Sequence, residues 1–299
     1  MRKMLMLLAL GMMLLCAGAA AEEAPAVVDR INHPEETFSF APGAELMEIV
    51  FPQELNVDSA VIRCGSQVML IDCASRAMAP RMVNLLEQLG VTEVDFVAVS
   101  HPHYDHLEGL EQIAQAVTIH ELRVGHPADE NDQMEKALRV CERYGIPVTW
   151  YSDADTWQLG AARIDVWLKG DDAWELNDRS AVMRLQLGER TALFCADAEN
   201  RLQRRLTEVI PAEMLDVDVM KYPHHGKTAL LWDFYAATTP LFAVITNNNG
   251  SAAQASRTFL DKNGVPWAIT VPGYVRLTTD GTVWLADRLE MDKPIVVNK

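Results

Sequence analysis

Basic residues are scarce in this sequence. Its 299 residues include 26 Lys and Arg against 42 Asp and Glu, which gives a formal net charge of -16. A protein that holds nucleic acid tightly needs clustered cations to neutralise the phosphates. We therefore expect no tight nucleic-acid binding. A small-molecule or wall-polymer anionic substrate remains compatible with this charge if metal ions neutralise it locally.

Cysteines are also few, and their spacing matches no zinc-knuckle or redox motif. Cys16 lies near the N-terminus, and the other four are Cys64, Cys73, Cys141 and Cys195. We expect these four to be buried thiols. Export would permit a disulfide bond between two of them, and the sequence does not indicate which.

Long apolar runs are missing except at the N-terminus. Residues 1–21 combine Arg2 and Lys3 with an apolar stretch and then small residues up to Ala21. This order is typical of a cleaved signal peptide and predicts a secreted or extracytoplasmic protein. The alternative is an uncleaved N-terminal membrane anchor, for which the apolar run is short. Cleavage after Ala21 would change the formal charge from -16 to -18.

Strand-like and helix-like segments alternate after an acidic, proline-containing lead at residues 22–45. Periodicity predicts a hairpin over residues 59–73, a buried strand that ends near Ser100, and a helix within residues 130–145. A second strand-rich half begins near residue 157. No linker or repeat separates the halves. We therefore interpret residues 46–299 as a single domain with two packed sheets and helices outside.

Three of the eight histidines and one aspartate fall within six positions of the stretch SHPHYDHLEG, residues 100–109. His101 and His103 leave the end of a predicted strand two positions apart, so their rings can share a side and bind one ion. Asp105 and His106, at the turn into a helix, can address a second ion nearby. Imidazole and carboxylate ligands suit zinc, iron and manganese. The motif predicts two divalent transition metal ions, with Zn²⁺ favoured and Mn²⁺ compatible.

Several stretches resemble the metallo-β-lactamase superfamily, in chain order. VAVSHPHYDHLEGL resembles its first metal motif, VMLIDC its strand that ends in aspartate, and TALFCAD the strand that delivers a bridging aspartate. DVMKYPHHGK and NDRSAVMRL resemble one branch of the superfamily, which includes the metallohydrolase domain of the competence protein ComEC and secreted phosphorylcholine esterases.

This resemblance implies an α/β fold, an αββα sandwich of two mixed β-sheets flanked by helices, with the metals at one sheet edge. It implies that His101 and His103 hold the first metal, that Asp105 and His106 hold the second, and that Asp197 bridges both. One or both of the adjacent histidines in DVMKYPHHGK complete the set. The implied ligands are His101, His103, Asp105, His106, Asp197, His224 and His225.

The chain departs from the superfamily pattern in one ligand. Another histidine usually precedes the bridging aspartate, but residues 127–223 contain none. The branch with the HHG stretch also lacks it, so His224 and His225 can give one ligand to each metal. Alternatively, Asn177 or Asp178 fills the gap.

The implied activity is hydrolysis by a metal-activated water, with a phosphodiester as the favoured substrate. Asp105 is the candidate catalytic residue, because a ligand carboxylate can also orient the water or accept its proton. An acyl, lactam or thioester hydrolase of the same fold and a non-catalytic metal-binding sensor are the alternatives. Lys221 and Lys227 flank the histidine pair and either meet a substrate anion or face solvent.

Export predicts that residues 1–21 are missing from the mature protein, because signal peptidase cuts after small residues such as Ala21. N-terminal sequencing and intact mass of protein purified from the native host check this. An intact N-terminus on protein recovered from the cytosol would contradict the prediction.

Overall fold

The fold alternates short strands and helices. The structure is a computed structural model that describes residues 25–290, so the predicted signal peptide lies outside the described residues. The strands are, in chain order, β1 (Val27–Asp29), β2 (Met47–Phe51), β3 (Ser59–Cys64), β4 (Gln67–Cys73), β5 (Glu93–Val94), β6 (Phe96–Val99), β7 (Thr118–Ile119), β8 (Leu122–Val124), β9 (Val148–Trp150), β10 (Thr156–Leu159), β11 (Ala162–Trp167), β12 (Val182–Leu187), β13 (Arg190–Phe194), β14 (Val219–Lys221), β15 (Phe242–Ile245), β16 (Trp267–Ile269), β17 (Val275–Thr279) and β18 (Trp284–Arg288).

Most helices lie between strands. They are α1 (Ala79–Gln88), α2 (Tyr104–Leu107), α3 (Leu110–Ala116), α4 (Asp132–Tyr144), α5 (Asn200–Val209), α6 (Ala212–Leu215), α7 (Trp232–Thr238) and α8 (Gln254–Lys262). Three 3₁₀ turns occupy Leu176–Arg179, Pro223–Gly226 and Ser251–Ala253.

Two large mixed sheets organise the strands within residues 25–290. The first sheet has nine strands in the order β1-β18-β17-β2-β3-β4-β6-β8-β9. The second has seven strands in the order β10-β11-β12-β13-β14-β15-β16, and β5 pairs with β7 separately. The facing sides of the two large sheets share one apolar core, with Ile49 and Ile62 from the first sheet and Phe194 and Val244 from the second.

Helices cover the outer side of each sheet. Buried side chains of α1, α3 and α4 pack on the first sheet, and those of α5, α7 and α8 pack on the second. The four layers form the αββα sandwich that the sequence predicts. The central strands are rich in Leu, Val and Ile and are apolar on both faces. This packing buries both of those faces.

Helix α4 shows how local sequence sets an element. The Asn131 side chain accepts hydrogen bonds from the backbone of Gln133 and Met134, which satisfies free N–H groups at the helix start. Gly145 ends the helix in the left-handed region at φ 68°. Met134 and Cys141 lie on its buried face, two turns apart. Caps and periodicity therefore agree, and the predicted helix is confirmed.

Parallel pairing brings the chemistry-bearing loops to one edge of the sandwich. Strand β4 pairs in parallel with β6, and β13 pairs in parallel with β14, which pairs in parallel with β15. Parallel strands end at the same edge of their sheet. The loops after β6, β13 and β14 carry His101, Asp197 and His224, and these three side chains meet there.

One boundary expected from the sequence needs amendment here. The lead at residues 22–45 is not wholly outside the domain, because β1 pairs in parallel with β18, with Val27 opposite Trp284. The expectation of buried thiols is confirmed, because Cys64, Cys73, Cys141 and Cys195 are all free and buried. No helix within residues 25–290 combines the length and apolar character needed to cross a membrane.

Gly109 allows the histidine loop to pack against the end of β4. A Cβ at this position would lie 2.1 Å from the Cys73 carbonyl oxygen and 2.8 Å from Ala79 Cβ. We expect Gly109→Ala to lower the free energy of unfolding by about 1–3 kcal/mol through overpacking, measured by urea denaturation. Gly273→Ala is the control, since the nearest atom to its Cβ is the Arg288 guanidinium at 3.8 Å. Equal stability of the two variants would contradict the prediction.

Candidate metal centre

A first group of ligand atoms forms where β6 ends. His101 and His103 extend from that strand end, and His101 Nε2 lies 2.9 Å from His103 Nδ1. A carboxylate oxygen of Asp197, from the loop after β13, lies within 4.8 Å of both. His101 is fully buried and His103 is partly exposed, so the group opens to solvent on one side. Two imidazoles and a carboxylate in this arrangement could hold a divalent cation.

A second group lies on the other side of Asp197. Asp197 Oδ1 is 3.2 Å from His106 Nε2 and 3.5 Å from His225 Nε2. Asp105 Oδ2 is 3.5 Å from the same His225 nitrogen. All four side chains are buried, and they come from the α2 segment, the loop after β13 and the turn after β14.

Three atoms of the second group are buried without a hydrogen-bond partner: His106 Nε2, His225 Nε2 and Asp197 Oδ1. They face one another at 3.2 and 3.5 Å, but their alignment is not that of hydrogen bonds. Buried polar atoms in native proteins are almost always satisfied. Nitrogen and oxygen lone pairs that converge in this way fit a divalent metal ion between them.

The adjacent histidines address different oxygens of Asp197. His224 Nε2 lies 3.6 Å from Asp197 Oδ2, whereas His225 Nε2 faces Oδ1. The other ring nitrogen of His224 contacts Thr228 Oγ1 at 2.9 Å and Glu199 Oε1 at 3.2 Å. The geometry therefore favours one ligand from the pair for each group of ligand atoms.

Asp178, offered by the sequence as another ligand, lies elsewhere. Its Oδ1 accepts a hydrogen bond of 3.0 Å from Leu202 N in the first turn of α5. Asn177 donates to Glu199 Oε1 at 2.9 Å, beside His224. Asn177 thus borders the first group, while Asp178 ties the 3₁₀ turn to α5.

Two carboxylates contact the Nδ1 atoms of the histidines in the second group, on the side of each ring opposite the ligand atom. Asp72 Oδ2 lies 2.8 Å from His106 Nδ1. Asp58 Oδ1 lies 3.0 Å from His225 Nδ1. A carboxylate on Nδ1 fixes the tautomer and directs Nε2 at the ion. Sequence reasoning missed Asp58, because one aspartate before a strand carries no spacing signal.

Asp58 also has an oxygen within 4.8 Å of ligand atoms of His106, Asp197 and His225. Its oxygens, however, are already engaged. Oδ1 accepts a hydrogen bond of 2.6 Å from the Thr246 hydroxyl and also faces His225 Nδ1. Oδ2 contacts the Lys221 ammonium. We therefore assign Asp58 to support rather than to direct ligation.

The expectation that Lys221 meets substrate or solvent is wrong. Its side chain is buried, and its ammonium contacts Asp58 and donates to the Ala196 carbonyl oxygen at 2.9 Å. A buried charge without a partner is strongly destabilising, so each of the pair requires the other. Lys227, in contrast, is exposed.

Electrostatics divides the histidines into two classes. Burial lowers the pKa of His101 well below its usual range, and the neighbouring His106 adds to this effect. Burial also opposes charge on His106 and His225, but nearby carboxylates, Asp197 first, outweigh it and raise both pKa values, that of His225 to about 9. In the absence of metal, protons therefore occupy the second group, and metal uptake must release them.

The backbone is strained where it supports the site. Asp72, Ala196, His224 and His225 have positive φ angles of 60°, 46°, 48° and 53°. Non-glycine residues in this left-handed region cost about 1–3 kcal/mol each and persist where surrounding structure enforces them. Strain of this kind clusters at functional sites.

Comparison with known proteins identifies the fold family. The model of the metallo-beta-lactamase superfamily matches residues 52–272, more than half of the chain. The chain belongs to the metallo-β-lactamase superfamily. The matched range contains every residue of both ligand groups, so the sequence-based assignment of the superfamily is confirmed.

Solved structures of the superfamily share this fold at low sequence identity. The metallo-β-lactamase fold protein YhfI from Bacillus subtilis is 14% identical, with 75% of this chain and 96% of that chain covered and a TM-score of 0.52. A protein from Parabacteroides distasonis, whose name proposes a metal-dependent hydrolase, is 13% identical, with 75% and 93% covered and a TM-score of 0.50. No curated protein matches the chain. At such identities the likeness establishes the fold alone.

The position of Asp197 between the two groups predicts a large effect on metal content. We expect Asp197→Asn to reduce bound metal from about two equivalents per chain to below one, because the amide loses the charge that both groups share. Mass spectrometry of metals in protein purified without chelator measures this. Asp171→Asn removes the same charge from an exposed loop residue and is the control. Full metal occupancy in Asp197→Asn would contradict the assignment.

Proposed function

We propose that this superfamily member is an exported metal-dependent hydrolase that cleaves phosphodiesters. The observation that carries the proposal is the pair of ligand groups sharing Asp197, with three buried and unpartnered atoms directed at one position. Such groups suit two divalent ions, and two-metal sites are common among enzymes that cleave phosphate esters.

We assign the ligands by proximity. His101, His103 and His224 would hold the first ion, and Asp105, His106 and His225 the second, with Asp197 between them. Zn²⁺ suits these nitrogen and oxygen ligands best, and Mn²⁺ is compatible. When bound, the ions would lower the pKa of a water molecule and neutralise charge on the phosphoryl oxygens.

Asp105 has the placement of a residue that handles the attacking water. Its carboxylate is slightly exposed, while the neighbouring His106 and His225 are fully buried. Burial opposes its ionisation, but the nearby imidazoles of His225 and His106 outweigh burial and hold the pKa of Asp105 below its usual value. An ionised carboxylate at this position can accept a hydrogen bond from water and orient it.

A phosphodiester is favoured over an acyl substrate for two reasons. The stretch DVMKYPHHGK resembles the ComEC-type branch, which acts on phosphodiesters, and in the structure its histidine pair addresses both ligand groups. Lys227, which follows that pair, is exposed and offers positive charge near the opening. The net charge of -16 favours a small-molecule or wall-polymer anion outside the cytoplasm over tightly held DNA.

The proposal predicts metal-dependent hydrolysis of bis-p-nitrophenyl phosphate. We expect chelator to abolish p-nitrophenolate release, Zn²⁺ or Mn²⁺ to restore it, and His103→Ala to lower kcat/KM by at least about 100-fold, because a ligand of the ion is lost. His120→Ala is the control, since His120 is exposed and contacts Glu93 instead. Turnover of a β-lactam without any diesterase activity would favour the acyl-hydrolase alternative.

A further inference from the structure

A basic pocket lies beside the metal centre in a protein that is otherwise strongly acidic. It is an open pocket of about 530 Å³, large enough for a ligand of substrate size. Four cationic side chains and two carboxylates line it, with one indole: Lys169, Arg201, Arg204, Arg205, Asp171, Glu208 and Trp174. The lining therefore carries two surplus positive charges, against a net charge of -16 for the chain.

Two of the four cations lack an ion-pair partner among residues 25–290. Lys169 pairs with Asp153, and Arg205 lies 3.9 Å from Glu208. Arg201 and Arg204 are exposed on the outer face of α5, and neither has a carboxylate oxygen within 4.0 Å in the described chain. A guanidinium group binds phosphate oxygens through two parallel hydrogen bonds, so this face of α5 matches a phosphate ligand.

The pocket is fixed relative to the metal centre by a short series of contacts. Glu199, which precedes α5, contacts both His224 and Asn177. Asp178, which follows Asn177 in the chain, accepts a hydrogen bond from the backbone N–H of Leu202 in α5. Arg201 and Arg204 thus lie within one helical turn of Leu202, and Arg204 is about 7.5 Å from Glu199 along the axis of an ideal helix.

The opposite wall of the pocket is fixed as well. A Cβ at Gly170 would lie 2.5 Å from Arg179 Cα and 2.6 Å from the Asp178 carbonyl oxygen, so the loop packs directly on the 3₁₀ turn. Arg179 in turn makes two hydrogen bonds with Glu130, at 2.6 and 2.8 Å. Trp174 lies on this loop and is partly buried. Because both walls are held in place, a ligand would meet a preformed surface.

We propose that this pocket binds a second phosphate group of an extended, phosphodiester-linked polymer whose neighbouring linkage lies at the metal centre. Arg201 and Arg204 bind the phosphate, and the Trp174 indole packs against the carbon skeleton between phosphates. This inference rests on the proposed function and specifies its substrate class as a polyol phosphate polymer rather than an isolated diester.

Another basic groove on the surface provides a matched control. Arg76, Lys136, Arg139 and Arg143 line it beside α4, but Arg139 and Arg143 pair there with Glu135 and Glu111. Lys136 and Arg139 are exposed, as Arg201 and Arg204 are. Lys136→Gln with Arg139→Gln therefore changes the net charge by the same amount as Arg201→Gln with Arg204→Gln, at a different place.

The test is binding of a short fluorescein-labelled poly(glycerol phosphate) oligomer to the mature full chain, in chelator to prevent turnover. We expect Arg201→Gln/Arg204→Gln to weaken binding roughly tenfold, and to lower the slope of log Kd against log salt by about 0.7, since one neutralised phosphate is lost. The control pair should stay within about twofold. Circular dichroism melts of each variant establish that the fold is retained.

Three outcomes would overturn the inference. Equal weakening by both pairs would show an effect of overall charge, and no weakening by either would place the oligomer elsewhere. If inorganic phosphate displaced the labelled oligomer as well as unlabelled oligomer does at the same phosphorus concentration, the pocket would be a site for a single anion. Absence of bis-p-nitrophenyl phosphate turnover in metal-loaded protein, with oligomer binding still dependent on the two arginines, would reject the diesterase proposal alone.

Discussion

One carboxylate, Asp197, holds the site together. Both ligand groups converge on it, one toward Oδ1 and the other within reach of Oδ2. Burial alone would raise the pKa of this carboxyl, but His225 and His106 outweigh burial and hold it well below its usual range. A buried carboxylate that stays ionised needs cations around it. Asp197 meets that requirement through imidazolium groups, and it would meet it equally well through metal ions.

The charges around Asp197 form alternating layers. Histidines surround it, the carboxylates Asp58 and Asp72 lie behind the histidines, and Lys221 lies behind Asp58. Each layer neutralises the one before it in a buried region, where unpaired charge is costly. The removal of one member would therefore disturb groups that it does not touch. This explains how an edge rich in ionisable groups remains compatible with a packed sandwich.

The sequence was sufficient to predict elements whose signals are local. The bounds of β3 and β4 agree with the predicted hairpin, because both strands are mainly apolar and flank the Gly65 turn. The histidine motif is local too, and its residues do lie together. Strands β2 and β10 were missed, since they have only five and four residues.

Features that depend on distant contacts could not be predicted from the sequence. Asp58 reaches Lys221 across 163 positions, and only the packing of the two sheets brings them together. The same packing buries Lys221, which local sequence presents as a surface lysine. The relation of His224 and His225 to the two oxygens of Asp197 depends on left-handed backbone angles in a turn, which non-glycine residues rarely adopt.

The four buried cysteines have a consequence for the biogenesis of the protein. All are free, and burial raises the pKa of each thiol, to about 12 for Cys195 and about 11 for Cys141. Oxidation requires a thiolate that reagents can reach, and these thiols offer neither charge nor access. Within residues 25–290, the native state thus contains no cross-link that an oxidase or isomerase would have to form.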